Sequence, residues 1–305
     1  MEYGLIMRQI KWRLGIKSPI VANIKITNKC NLRCKMCSDD IRTAEQKEIN
    51  LEEWKNKIDE LKKLGIRVII FEGGEPTLRK EIEELIMYVK KEKIYSIMIT
   101  NGVNDFSHIN TDAIWVSIDG IEEFHNEVRG EGIYKKIKNN LLKAKDKNIV
   151  ILSMINGKNM NKIEEFVEEN RDYRIYFNWV YGYKNSELGD MRLDDKINTK
   201  QKIMELKDKG YKIFNSYKTL NNVGNQNKKC SYWLLATVDS GGNIDNNCMV
   251  RRFDSKCRCS DCDLACYLEL NNIYNLDYET RENWKKMVGM DLTFGIEKYI
   301  FKDKK

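Results

Sequence analysis

Proline is nearly absent: Pro19 and Pro76 are the only two in 305 residues. Lys, Ile and Asn are abundant beside it, so coding bias accounts for this better than function does. No apolar run approaches the ~20 residues that a bilayer-spanning helix needs, which excludes a transmembrane helix. Residues 1–17 lack a long apolar stretch and a small-residue cleavage site, so no secretory signal is expected and a reducing, cytoplasmic setting follows. No block of Lys and Arg interleaved with aromatics marks a nucleic-acid groove. The net charge of +7 comes from 53 basic and 46 acidic residues and reads as a solubilising surface. Cysteine is missing from the whole stretch between Cys37 and Cys230.

What is present is enough for a core, since 42% of the residues are hydrophobic. The length suits one large α/β domain with a small appendage. From residue 20, short β-branched runs alternate with amphipathic stretches. The runs at 20–27, 68–72, 96–100, 113–118, 150–155 and 174–180 predict strands. Helices are expected at 51–64, 80–91, 134–147, 161–169 and 199–209. Repeated β-then-α units imply parallel strands with right-handed crossovers. Six units are too few to close an eight-fold barrel, so the expected fold is α/β, a partial (β/α)6 TIM barrel. A flat doubly wound sheet is the alternative. Composition changes near Asn215. From there to Leu268 the chain is rich in Asn, Asp, Gly and Cys and poor in helical periodicity, and a last helix is expected at 282–287. The reading is two modules, 1–215 and 216–305, the second small and cysteine-rich.

The nine cysteines fall into two groups. In a chain without a secretory signal such grouping reads as metal or redox chemistry rather than a disulfide framework. The first group is Cys30, Cys34 and Cys37, directly after the first strand. Ligands gather at the carboxyl ends of parallel strands. Three thiolates can hold three irons of a [4Fe–4S] cube and leave the fourth open. Structural zinc fits poorly, because no fourth Cys or His is near. Later strand ends add Glu72-Gly73-Gly74-Glu75-Pro76, Asn101-Gly102, Ser117-Ile118-Asp119-Gly120, His125 and Arg129. Two glycines permit close backbone approach, and Pro76 stiffens the turn. Asn101 suits a turn with positive φ. His125 reads as a surface or helix-start residue, and Asp119 as a helix cap or a ligand contact.

The spacing Cys30-x3-Cys34-x2-Cys37 resembles the signature of radical S-adenosylmethionine (SAM) enzymes, and Gly73-Gly74-Glu75-Pro76 is similar to that family's GGEP motif. The resemblance spans roughly residues 20–270. It implies a [4Fe–4S] cluster on the three cysteines, completed by the amino and carboxylate groups of SAM. Reductive cleavage of SAM would then give a 5′-deoxyadenosyl radical. It also implies SAM contacts: Met36 over the adenine, Gly73, Gly74, Glu75 and Pro76 at the methionine amino group, and Asn101 and Ser117 near the ribose or carboxylate. Arg129 offers a donor fork for the carboxylate. A flavodoxin or ferredoxin-type reductant is the implied partner.

The second group is Cys230, Cys248, Cys257, Cys259, Cys262 and Cys266, with a hairpin turn expected at Gly241-Gly242. It resembles the SPASM and Twitch extensions of the same superfamily, which hold auxiliary [4Fe–4S] clusters. One auxiliary cluster is expected, on Cys230 and Cys248 plus two of Cys259, Cys262 and Cys266, with Cys257 the spare. A four-cysteine zinc site is the alternative.

Ile6, Ile10 and Leu14 form a helical stripe flanked by Arg8, Lys11, Arg13 and Lys17. It reads as a helix packed on the barrel base. Peripheral membrane contact through residues 1–17, with Trp12 as interfacial anchor, is the sharper alternative. The substrate is expected over the open iron, near strands five and six, where Asn156, Asn178, Trp179 and Tyr181 are candidates, Asn178 and Tyr181 foremost. A peptide, a lipid or isoprenoid, or a small metabolite all fit. The rival function is a non-catalytic iron–sulfur electron carrier or scaffold.

Overall fold

The computed structural model describes residues 10–37, 47–179, 188, 191–253 and 258–288. Six strands run parallel: β1 (Val21–Lys25), β2 (Val68–Glu72), β3 (Tyr95–Thr100), β4 (Ala113–Ser117), β5 (Ile149–Ile155) and β6 (Arg174–Trp179). Two more extend the sheet past β1. β7 (Leu235–Val238) pairs parallel with β1, Val21 opposite Leu235, and β8 (Ile244–Asp245) returns antiparallel. The order is β6-β5-β4-β3-β2-β1-β7-β8.

The helices are α1 (Leu51–Leu64), α2 (Ile82–Lys91), α3 (Glu122–Arg129), α4 (Ile133–Lys143), α5 (Ile163–Glu169), α6 (Leu193–Asp208), α7 (Tyr217–Asn222), α8 (Met249–Phe253), α9 (Ala265–Tyr274) and α10 (Tyr278–Val288). Local chemistry explains the best-marked one. Asn50 and Glu53 form a capping box at the start of α1, Trp54, Ile58 and Leu61 make its buried stripe, and Gly65 ends it at φ 95°. Strand residues alternate between outer and inner faces. On β2, Ile69 and Phe71 are buried, while Ile70 and Glu72 face a central cavity.

The partial barrel matches the expected class, and the strand positions agree within two residues. Several details differ. α3 was not expected, because its Glu- and His-containing sequence carries only two large apolar residues, Phe124 and Val128. α6 begins six residues before the expected 199. The stretch 215–268 holds α7, α8 and the start of α9, so it is less irregular than its composition implied. The hairpin at Gly241-Gly242 is present, but its strands carry no cysteine: Cys230 precedes β7 and Cys248 follows β8. β7 also ties the second module into the first module's sheet by ladder hydrogen bonds. Trp12 is not an exposed anchor. It is 3% exposed, lies edge-on to Trp233 at 5.6 Å, and donates from Nε1 to Ser18. Ile10, Leu14 and Ile16 are the exposed large apolar residues of that segment among those described; Ile6 and Arg8 lie outside the described residues.

Candidate functional site

The Cys30–Cys37 loop leaves the carboxyl end of β1 and is tied from several sides. Gly74 N–H donates to Thr27 O and Glu75 N–H to Lys29 O, both at 2.8 Å. A Cβ on Gly74 would lie 2.1 Å from Lys29 O, and one on Gly73 2.3 Å from Thr27 O. The two glycines therefore admit the cysteine loop's own backbone. The Glu48 carboxylate accepts from Thr27 Oγ1 at 2.7 Å and Asn28 N–H at 2.8 Å. Arg79 donates to Ile26 O and Ile49 O, each at 2.9 Å. Glu48 and Arg79 escaped sequence reading because neither lies in a motif.

Glu75 is fully buried. Oε1 accepts from Thr77 and from Thr100 Oγ1 at 2.7 Å, and Oε2 from Asn101 N–H at 2.8 Å. Burial raises its pKa, while these donors oppose the rise. It tethers the ends of β2 and β3. Pro76 opens a single 3₁₀ turn, Pro76–Leu78, for which Glu75 is the cap.

Donors reach the thiols. Leu32 N–H lies 3.4 Å from Cys30 Sγ and Asn101 Nδ2 3.9 Å from it. Asn101 Nδ2 also donates to Asn31. The residue at positive φ in that turn is Gly102, at 73°, rather than Asn101. Burial pushes the Cys34 thiol up, and the Arg129 guanidinium beside it pulls it down. Met36 packs against Phe124, Val128 and Leu188. Ser117 is buried at the end of β4.

Arg129, at the end of α3, donates from Nε to Asp119 Oδ2 at 2.6 Å. Burial works against its charge, but Asp119, Cys34 and Cys37 together hold its pKa above the ordinary value. Asp119 is no helix cap: α3 begins after Ile121 without a side-chain cap. Its other oxygen accepts from Met154 N–H at 3.1 Å. His125 is not a surface residue either. It is fully buried, and its Nδ1 accepts from Asp119 N–H at 3.2 Å. Burial, with Arg129 next, lowers its pKa to about 4. These three residues form one support that fixes the guanidinium beside the cysteine loop.

The second group of thiols gathers around another cavity, of about 440 Å³, lined by Cys230, Cys248, Cys259 and Cys262 with Lys228 and Arg251. Cys266 sits in the first turn of α9. Burial, then Cys262, pushes its thiol up to about 12. Cys230 keeps surface open to the cavity, yet protein crowds it enough to push it up to about 12 as well, with Cys262, Cys248 and Cys266 contributing. Cys259 is exposed and takes Arg251 Nη2 at 3.3 Å. Asp263 anchors the segment through Lys228 at 2.9 Å and Lys196 at 2.7 Å. Cys257 lies outside the described residues. Among the described residues no three ligand side chains converge as tightly as a single ion requires. A [4Fe–4S] cube takes thiolates at separate corners, which suits wider spacing, and both thiol groups fit that donor chemistry.

The barrel interior holds a third feature, a cavity of about 220 Å³. Asn178 lines it, and its Oδ1 accepts from Ala265 N–H at 2.8 Å. Asn156 does not: its Oδ1 accepts from Lys158 N–H at 2.9 Å and Asn159 N–H at 3.3 Å, in the turn after β5. Trp179 is fully buried away from the cavity. Tyr181 lies outside the described residues.

An open parallel barrel with three thiols after its first strand offers the donor set of a cluster with one open iron. Residues 24–169, just under half of the chain, match the model of the radical SAM superfamily. The chain is 28% identical over 216 residues to the Fe-coproporphyrin III synthase of Methanosarcina barkeri, covering 64% of this chain and 54% of that protein. It is 30% identical over 161 residues to the sporulation killing factor maturation protein SkfB of Bacillus subtilis, covering 50% and 39%. It thus spans about half or less of these relatives' length. In fold it is similar to Streptococcus suis SuiB bound to S-adenosylmethionine, with TM-score 0.59 and 16% identity, covering 93% of this chain and 68% of SuiB. The likeness to a radical SAM domain therefore covers residues 24–169, from β1 through α5. No helix among the described residues is long and apolar enough to cross a membrane.

Proposed function

We propose that the protein reductively cleaves SAM to a 5′-deoxyadenosyl radical and uses it to functionalise an unreactive carbon of a substrate held in the barrel. The observation that carries this reading is the cysteine loop locked onto Gly73 and Gly74 with Arg129 beside it. Cys30, Cys34 and Cys37 would hold a [4Fe–4S] cluster, which supplies the electron and an open iron for SAM. The chain's own residues do the rest. Leu32 N–H and Asn101 Nδ2 reach Cys30 Sγ and would hold it in place. Asp119 occupies Nε of Arg129 and aims its terminal nitrogens, a fork matched to the methionine carboxylate. Asp119 and His125 are positioning residues for it. Met36, on its apolar bed, would cover the adenine, and Ser117 and Asn101 lie at the strand ends where the ribose is expected. The backbone around Gly73–Pro76 would receive the amino group, while Glu75 acts by holding that backbone.

We assign one auxiliary [4Fe–4S] cluster to Cys230, Cys248, Cys262 and Cys266, whose thiols influence one another. Cys259 is left to Arg251. On cofactor grounds the modules divide at 215/216, although β7 joins them in one sheet. A flavodoxin or ferredoxin-type protein would deliver the electron, in a cytoplasmic setting. The exposed Ile10 and Leu14, with Lys11 and Lys17 near, fit contact with an anionic lipid surface. Among the substrate classes the likeness to SkfB favours a peptide.

The test is anaerobic reconstitution followed by SAM and a strong reductant. The native chain should release 5′-deoxyadenosine, and a triple Cys30, Cys34, Cys37→Ala variant should not. Release by the variant would overturn the assignment.

A further inference from the structure

The strands' inner faces and α9 enclose the 220 Å³ cavity, a small space by the standard of whole-ligand pockets. It has room for one substrate group. Its wall is mostly apolar: Ile70, Ile99, Leu152, Met154 and Leu264 line it. Trp115 and Tyr176 add an aromatic face, with ring centroids 5.1 Å apart.

Among the described residues, two polar atoms in this wall have no partner. They are Oδ1 of Asn23 on β1 and Nε1 of Trp115 on β4, each in a residue 8% exposed. Trp54 and Trp179 also bury an unpaired indole N–H, but neither lines this cavity. A buried polar atom without a partner is costly, and a ligand offering its complement relieves that cost. Glu72, Glu269, Asn178 and Asn283 also line the space, but the unmet pair is one donor and one acceptor, and these select among polar groups. A carboxylate has no proton to donate and would face Glu72 and Glu269, which line the same space. An ammonium could pair with Glu72 or Glu269, but it accepts nothing from the indole and leaves that N–H unmet. A carboxamide brings two N–H donors to one acceptor. A hydroxyl donates once and accepts once.

We propose that the barrel cavity is the subsite for an apolar, hydroxyl-bearing group of the substrate, with Trp115 Nε1 donating to its oxygen and Asn23 Oδ1 accepting its proton. The proposal rests on the SAM-cleaving reading for its function and sharpens the substrate class. Groups ending in a carboxylate are disfavoured; alcohols and phenols are favoured.

The experiment uses the anaerobically reconstituted protein and three probes, p-cresol, toluene and p-toluate, with affinities from ligand-observed NMR titration. p-Cresol should bind about tenfold more tightly than toluene, as expected of buried hydrogen bonds. p-Toluate should bind more weakly than either. Trp115→Phe and Asn23→Leu should each shrink the hydroxyl preference. Iron content reports whether each variant has folded, and if one loses its iron the other carries the comparison; loss of iron by both moves the comparison to Asn23→Ser. Equal binding of p-cresol and toluene, as when water fills the gap, overturns the proposal. So does a preference that survives substitution, or no binding of p-cresol. Release of 5′-deoxyadenosine by the same preparation separates the two readings. If release occurs without a hydroxyl preference, only the subsite falls. If no release occurs, the SAM reading falls by itself.

Discussion

The two cysteine groups are built in opposite ways. Cys30, Cys34 and Cys37 share one loop, and the protein spends its tertiary contacts on holding that loop: two glycines beneath it, Glu48 and Arg79 at its root, and Arg129 at its side. Cys230, Cys248, Cys262 and Cys266 come from the two flanks of a hairpin and the start of a helix, and meet only because β7 docks on β1 and α9 closes over the barrel. The first group is carried along one short loop, and on the proposed reading it would leave one iron open to a ligand. The second is assembled from distant segments. Ser240, in the hairpin, links the two regions: Asn28, two residues before Cys30, donates from Nδ2 to Ser240 Oγ at 2.8 Å, and Ile49 N–H donates to Ser240 O at 2.9 Å.

The largest effect expected from this contrast is at Gly74. Gly74→Ala drives a methyl into Lys29 O and should cost about 3 kcal/mol or more, since backbone cannot yield as a side chain does. 5′-Deoxyadenosine formation should vanish, while the iron held by the second group persists. Loss of both clusters together would mean that the two sites are one folding unit.

Next comes a pair of substitutions within the second group. Cys266→Ser should remove roughly four irons per chain, the content of one cube. Cys259→Ser should remove almost none. The reverse pattern in iron analysis would transfer the fourth ligand to Cys259.

A smaller effect separates the regions by pH. His125 titrates near 4 in the fold and near 6.5 when unfolded, so the unfolded chain binds more protons between those values. Its contribution to stability is present above about 6.5 and falls as pH drops toward 4. Burial raises Glu269 on α9 to about 7, from 4.5, so in that window the folded chain binds more protons. Its contribution is present below 4.5 and is lost as pH rises through 7. Melting temperatures at pH 5.5 and 7.5 resolve the two. The difference, low pH minus high, should become more positive in His125→Gln and more negative in Glu269→Gln. Shifts in one direction for both would contradict the assignment.

The smallest effect is at the bridge. Ser240→Ala removes one partly buried hydrogen bond to Asn28 and should cost about 0.5–1.5 kcal/mol. SAM cleavage should persist, with a modest drop in denaturation midpoint. A full loss of cleavage would show that the hairpin controls the first cluster loop.

Features carried by residues close in sequence are legible in the sequence itself. The three-cysteine spacing, the Gly73–Pro76 turn and the alternation of β-branched runs with amphipathic stretches are local patterns, set by ligand geometry, backbone sterics and side-chain period. Those patterns determined the partial barrel, the place of the first thiols at its carboxyl end, and the hairpin at Gly241-Gly242. Tertiary structure alone decided the rest. It tied Glu75 to the ends of β2 and β3, buried His125, which the sequence offered as a surface or helix-start residue, buried Trp12 against Trp233, and paired Asp119 with Arg129. It also grouped the second thiols and left Asn23 and Trp115 unpaired across the barrel. The physical reason is common to all of these. Each depends on a contact between chain segments far apart in sequence, and burial and hydrogen-bond satisfaction are properties of the packed whole that no short window of residues contains.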